Sequence, residues 1–253
     1  MSGGSAQRSD DLREGLRRVR ARVDAACESA RRDPGQLCLI AVTKFFPASD
    51  AAALVGLGVT DIGESRDQEA AAKVGDLAGQ LEPDAMPTVH MVGQVQTKKA
   101  RSVVRWADVV HSVDRSKLVN ALDRATGQAL EAGERHRGLD VLVQVDLDAG
   151  RAQGRGGVAP QDALPLADSI CDSDHLRLRG TMAVAPAGAA GDDAALEEAF
   201  AHLRRIHESI RTEHPQARWL SAGMSGDLEH AVAAGATHLR VGSGILGSRP
   251  SQG

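Results

Sequence analysis

The sequence predicts a single-domain α/β protein, a (β/α)8 TIM barrel with an extra helix at its N-terminus. Three observations carry this expectation. Eight short apolar runs of strand length recur along the chain, separated by stretches of helical character. The runs are continuously apolar, as parallel strands buried on both faces should be. The length, 253 residues, suits closure of the eight units into one barrel rather than an open sheet.

The elements follow in order. Residues 1–9 are small and polar and are expected to be disordered, leaving 10–249 for the barrel and 250–253 as a tail. Leu12, Leu16, Val19, Val23, Cys27 and Ala30 recur at steps of three or four, an amphipathic helix that RDPG (32–35) ends. LCLIAVTK (37–44) is the first strand, and 47–58 a short helix with Ser49 as its expected N-cap. VTDIGE (59–64), TVHMVG (88–93), VVHSV (109–113) and DVLVQVDL (140–147) are the next four strands, with helices to about 80, over 96–107 and over 115–134 between them. The glycine-rich 148–157 reads as a mobile loop over the barrel mouth. A helix over 161–173, a strand within 176–186, a long helix over 192–214, a strand at 218–223, a short helix at 227–235 and a last strand at 238–247 complete the pattern.

Composition excludes several classes. Formal net charge is −4 with Lys and Arg spread along the chain, and aromatics make up 2% of residues, so neither a basic footprint nor a base-stacking platform for nucleic acid is present. No apolar stretch is long enough to predict a membrane span, and the N-terminus lacks the apolar core of a secretory signal. The three cysteines, Cys27, Cys38 and Cys171, form neither a disulfide framework nor a zinc spacing, and are expected to be small buried residues in a reduced, cytoplasmic protein. The nine histidines show no metal-ligand spacing. Tyrosine is absent, which removes any step needing a phenol from this chain.

In a barrel of this kind, sites form at the C-terminal ends of the strands, with phosphate commonly bound after the seventh and eighth. Lys44 ends the first strand behind a run of apolar or small residues. Desolvation there would favour the neutral amine that attacks a carbonyl, although a lysine can equally snorkel to solvent from a strand end. AGMSGD (222–227) offers a hydroxyl and free backbone N–H groups after the seventh strand; Ser225 could also simply cap the next helix. The segment misses the serine-hydrolase G-x-S-x-G pattern, because Asp227 stands in the last position. RVGSG (240–244) brings Gly242 and Ser243 to the same mouth, with Arg240 on the face of Gly242. His90 points either into the site or into the core, and Lys98 and Lys99 read as solvated charges.

These segments resemble the YggS/PROSC-type pyridoxal phosphate homeostasis proteins, whose barrel is of the alanine racemase N-terminal-domain type. The resemblance covers nearly the whole chain through AVTK (41–44), IGESRDQE (62–69), HMVGQVQTKK (90–99), GTMAVAP (180–186) and LSAGMSGDLEHAVAAGATHLRVGSGILGSR (220–249). It implies that Lys44 forms an aldimine with pyridoxal 5′-phosphate (PLP), that Ser225, Gly242 and Ser243 contact the phosphate, that Arg240 faces the pyridine nitrogen, and that Met224 lies beside the ring. Ser65 and Arg66 depart from the family's usual G-E-N-Y, Gln94 replaces a common His and Lys98 a common Asn, which affects the cofactor's surroundings near its hydroxyl and the opening.

The resemblance implies a PLP carrier acting in intracellular PLP and amino-acid balance rather than an enzyme. An arginine at the ring nitrogen cannot accept its proton, so the ring is a weak electron sink. Racemases of related fold tolerate that arginine but use a tyrosine from a second domain, and this chain has neither the tyrosine nor residues left for the domain. A lone barrel with an open cofactor is expected to be a monomer, with PLP-dependent apoenzymes as candidate recipients. The alternatives are a PLP-dependent amino-acid racemase, a PLP-free aldolase using Lys44, and an interaction scaffold.

Overall fold

The structure is a computed structural model that describes residues 3–148 and 156–248, with side chains from residue 6. Eight parallel strands close in chain order: β1 (Cys38–Val42), β2 (Asp61–Glu64), β3 (Thr88–Met91), β4 (Val109–Val113), β5 (Leu139–Gln144), β6 (Leu176–Met182), β7 (Trp219–Ser221) and β8 (His238–Val241). β8 pairs back onto β1 in register, Ile40 with Arg240 and Ala41 with Val241, which seals the barrel. The expected fold is therefore the observed one.

Around the strands lie α1 (Gly3–Ser29), α2 (Ala48–Gly56), α3 (Asp67–Ala78), α4 (Ala100–Val103), α5 (Ser116–Glu131), α6 (Ala163–Cys171), α7 (Asp193–Glu213), α8 (Leu228–Ala233) and α9 (Ser243–Leu246). Side chains alternate along each strand. One set packs outward against the helices, in a large apolar layer that includes Ala41, Ile62, Val110 and Leu239. The inward set forms only a small apolar plug of Val109, Leu142 and Met182, with Val184 and Trp219 against it. Polar side chains occupy much of the remaining interior, and they matter below.

α1 closes one side of the barrel with Leu12, Leu16, Val19 and Cys27, each nearly inaccessible to solvent; full burial of such a side chain contributes roughly 1.5–3 kcal/mol. Gly15 is where α1 meets α9. A Cβ there would sit 2.2 Å from the Ile245 carbonyl oxygen, so only glycine permits this approach. Gly180, at a register shift in β6, has φ +153°, and its Cβ would lie 1.8 Å from the Trp219 carbonyl oxygen.

Several expectations need correction. Residues 3–9 belong to the first helix rather than to a disordered segment, and Arg8 forms a fork onto Asp50 (2.6 and 3.0 Å) and donates to the Leu246 carbonyl; residues 1 and 2 lie outside the described residues. Ser49 lies inside α2; Pro47 occupies the N-cap and no side chain caps it. The helix expected over 96–107 is a 3-10 turn at Thr97–Lys99 followed by the single turn of α4. Cys27 is buried, but Cys38 is partly exposed and Cys171 exposed beside His214, since its helix edge lies outside the core. Most of the glycine-rich loop and the tail 250–253 lie outside the described residues.

Candidate functional site

The C-terminal ends of β1, β7 and β8 enclose a cavity of about 470 Å³, within the range of small-ligand sites. Lys44, Met224, Ser225, Arg240, Gly242 and Ser243 all line it. These residues are spread over 200 positions of sequence, and barrel closure through the β8–β1 pairing is what makes them neighbours.

Lys44 lies two residues beyond β1 and is half-buried, with its Nζ 5.9 Å from the centre of the Phe45 ring. Its peptide flanks are pinned by α3. Lys73 donates to the Thr43 carbonyl at 2.8 Å, and the Phe45 N–H donates to Glu69. Phe45 holds a positive φ of 71°, an uncommon conformation outside glycine that is kept only where its surroundings impose it. The Arg66 guanidinium covers the same ring at 4.6 Å. Beneath, Glu64 is fully buried and accepts from Lys73 (2.6 Å) and from the Thr43 hydroxyl (2.6 Å). Burial pushes its carboxyl pKa up, against the opposing pull of Lys73.

Ser225 and Ser243 face one another, with their oxygens 3.2 Å apart, and the Gly244 N–H donates to Ser225 at 3.1 Å. Ser225 does not cap α8. Asp227 stands in that position, and its carboxylate accepts from the Met224 N–H, folding the 223–227 turn so that the serine is left for the cavity. Gly242 lies against β1: a Cβ there would meet the Val42 carbonyl oxygen at 3.3 Å. Met224 is exposed at the rim.

Arg240 is buried at the cavity floor. Its Nη1 donates to Ser221 (2.6 Å) and its Nη2 to the Ala183 carbonyl (2.8 Å). Burial lowers its pKa to about 10, which still leaves the guanidinium charged at neutral pH. Val42, Val92 and Val184 supply apolar wall, Phe45 and Phe46 one side, and Ser248 a further hydroxyl. None of the described residues that line it is acidic. Among the described residues, two cations, three hydroxyls and no carboxylate suit a small anion with an apolar body.

The sequence did not single out Phe45, Ser221 or Ser248. His90 points into the barrel, but below the cavity, where it bonds Asp61 and His111. Ser65, Arg66, Gln94 and Lys99 border a neighbouring cavity of about 460 Å³. Lys98 is exposed, whereas Lys99 pairs with Asp67 at 3.2 Å rather than standing solvated. Among the described residues no helix is long and apolar enough to cross a membrane.

Known proteins share this fold. The profile of the family described as alanine racemase, N-terminal domain, matches residues 15–250. The pyridoxal phosphate homeostasis protein of Mycobacterium tuberculosis is 44% identical over 252 residues, covering 96% of this chain and 94% of the relative. That of Escherichia coli K12 is 30% identical over 243 residues, covering 95% and 97%. Among solved structures, PipY of Synechococcus elongatus with PLP bound shares 32% identity at a TM-score of 0.77, covering 93% of this chain and all of PipY. An alanine racemase from Clostridium difficile, 12% identical with a TM-score of 0.71 over 58% of its length, shares the fold.

Proposed function

The chain belongs to the alanine racemase N-terminal-domain family and, within it, to the pyridoxal phosphate homeostasis proteins, and on that footing we propose that it binds PLP through a Schiff base on Lys44 and acts as a carrier in PLP homeostasis rather than as a catalyst. The observation that carries this reading is the cavity's charge pattern: Lys44, Arg240 and three hydroxyls, with no acidic residue among the described lining residues. PLP supplies an aldehyde for a primary amine, a phosphate, and a ring nitrogen, and the cavity offers a counterpart to each. PipY, similar over its whole length, was solved with PLP bound.

Each residue has a distinct task in this reading. Lys44 provides the amine, held in place by the fixed peptides on either side of it. Ser225, Ser243 and the backbone at Gly242 would hold the phosphate, with the close serine pair able to donate both hydroxyl protons outward once an anion is present. Arg240 would face the ring nitrogen. A guanidinium donates only, so it keeps that nitrogen unprotonated and limits the ring as an electron sink. Met224 would cover the ring from the rim. The absence of tyrosine removes the second acid–base group that a racemase of this fold uses. We place the protein in the cytoplasm as a monomer, able to pass PLP to apoenzymes.

The deciding experiment is the visible spectrum of the purified protein with PLP, before and after borohydride, with mass mapping of the modified peptide. The expected result is a visible band, absent in Lys44→Ala, and reduction that labels Lys44. A protein that stays colourless with excess PLP, or a label on another lysine, refutes the assignment. Isotope exchange at Cα of alanine or serine at enzyme-like rates would refute the carrier role.

A further inference from the structure

Below the cavity floor, a file of polar side chains crosses the barrel interior. Arg240 on β8 donates to Ser221 on β7 at 2.6 Å, and the Ser221 oxygen lies 3.0 Å from Nδ1 of His111 on β4. Nε2 of His111 lies 2.9 Å from Nδ1 of His90 on β3, and Nε2 of His90 lies 2.8 Å from Asp61 at the start of β2. β4 and β7 are not adjacent in the sheet, so the His111–Ser221 contact must span the interior. Both imidazoles are nearly inaccessible to solvent, and Asp61 is the file's outlet at the N-terminal end of the barrel. The cavity chemistry uses Arg240 alone; the other four groups have no role in it.

Hydrogen-bond logic assigns a direction to the file. Arginine can only donate, so the Ser221 oxygen accepts and its one proton is left for His111 Nδ1. His111 is neutral: burial, with His90, Arg240 and His238 alongside, holds its pKa well below the ordinary value. Its single proton then sits on Nε2 and is donated to His90 Nδ1. At the far end, burial acts to raise the Asp61 pKa, but hydrogen bonds from His90 and Thr60 outweigh it, leaving a carboxylate that must receive a proton from His90 Nε2. Both ends therefore demand the same polarity. In the reversed file His111 and Arg240 would both aim protons at Ser221. A neutral His90 would then turn a lone pair toward the carboxylate.

We propose that Asp61, His90, His111 and Ser221 form one polarised positioning element for Arg240, with both imidazoles neutral and protonated on Nε2 and every bond donating from Arg240 toward Asp61. The file fixes the guanidinium from below, so that its orientation at the cavity floor is set before any ligand arrives. Its bearing on PLP rests on the reading of the cavity given above; the tautomers do not.

The test is ¹⁵N-histidine NMR of the full chain without ligand, combined with PLP titration. The nitrogen shifts of wild-type protein at neutral pH should show Nε2–H tautomers at His90 and His111. A His111 proton on Nδ1, or a cationic His90, overturns the proposal. Asp61→Asn removes the carboxylate while the Arg240–Ser221 end still imposes the polarity, so His111 should keep its proton on Nε2. A His111 proton that moves to Nδ1 in that variant would show that Arg240 and Ser221 do not set the polarity, and would also overturn it. Ser221→Ala removes one hydrogen bond to a charged group and should weaken PLP by about tenfold. An affinity within about twofold of wild type would refute the positioning role. If wild-type protein fails to bind PLP, the cavity reading fails, while the imidazole spectrum still decides the file.

Discussion

Replacing Lys73 with methionine isolates the ion pair that underlies the Lys44 segment. Glu64 is completely buried and Lys73 4% exposed, with 2.6 Å between their charged atoms. Lys73→Met keeps most of the stem volume but strands a buried carboxylate, one of whose oxygens already has no hydrogen-bond partner among the described residues. Breaking a buried pair from one side costs about 3–5 kcal/mol. For a chain of this size that is a fall in Tm on the order of 10 °C. The loss should depend on pH. Burial already raises the Glu64 pKa above its ordinary 4.5, and without Lys73 it rises further. A folded-state pKa above the unfolded one means that the folded state binds more protons, so stability falls as pH rises past 4.5. The deficit of Lys73→Met should therefore be larger at pH 8 than at pH 5, by urea denaturation followed by circular dichroism. Adding Glu64→Gln should restore most of the stability. A cost below about 1 kcal/mol, or one equal at both pH values, would show that the pair does not carry the charge balance assigned to it.

Four further outcomes are expected. His207, whose Nδ1 lies 3.0 Å from the Thr181 hydroxyl, has its pKa lowered by burial to about 4 from 6.5. The unfolded state thus binds the extra proton, and this contribution to stability is present above pH 6.5 and lost as pH falls toward 4. In His207→Gln the stability difference between pH 7 and pH 4 should shrink by about 3 kcal/mol; equal slopes for both proteins would contradict the assignment. Gly180→Ala should cost at least about 3 kcal/mol in denaturant unfolding, because its Cβ would overlap the Trp219 carbonyl in a conformation that alanine avoids. Ser225→Ala with Ser243→Ala should weaken PLP more than pyridoxal in equilibrium titration, and equal losses would remove the phosphate from these serines. Gly15→Val should displace α9 through Ile245 and weaken PLP although it lies outside the cavity; unchanged affinity would show that α1 does not position Ser243.

The barrel was legible because its signal is local. Continuous apolar runs between turn residues define parallel strands before any tertiary contact is known. The site was legible for a related reason: in a closed barrel the strand ends share one mouth, so Lys44, AGMSGD and RVGSG could be placed together. Element ends were less accessible. Ser49 looks like a cap by residue type, yet Pro47 takes the cap position and Ser49 falls within the first turn. Residues 3–9 look unstructured by composition, and it is the pairing of Arg8 with Asp50, 42 positions away, that accompanies their helix. Pairings at such separations leave no periodic trace.

Lys44 and Arg240 show where the division falls. Sequence alone determined that a lysine would stand at the end of the first strand and an arginine on the eighth, because strand periodicity and barrel order assign both positions. Only the tertiary structure decided what surrounds them. Lys73 and Glu69 reach across from α3 to the peptides beside Lys44. Ser221, His111, His90 and Asp61 line up beneath Arg240 from four different strands. Apolar patterning specifies which face of a strand is buried; it does not specify which polar groups meet once inside. That is settled by hydrogen-bond geometry at distances of about 3 Å, which exists only after the barrel has closed.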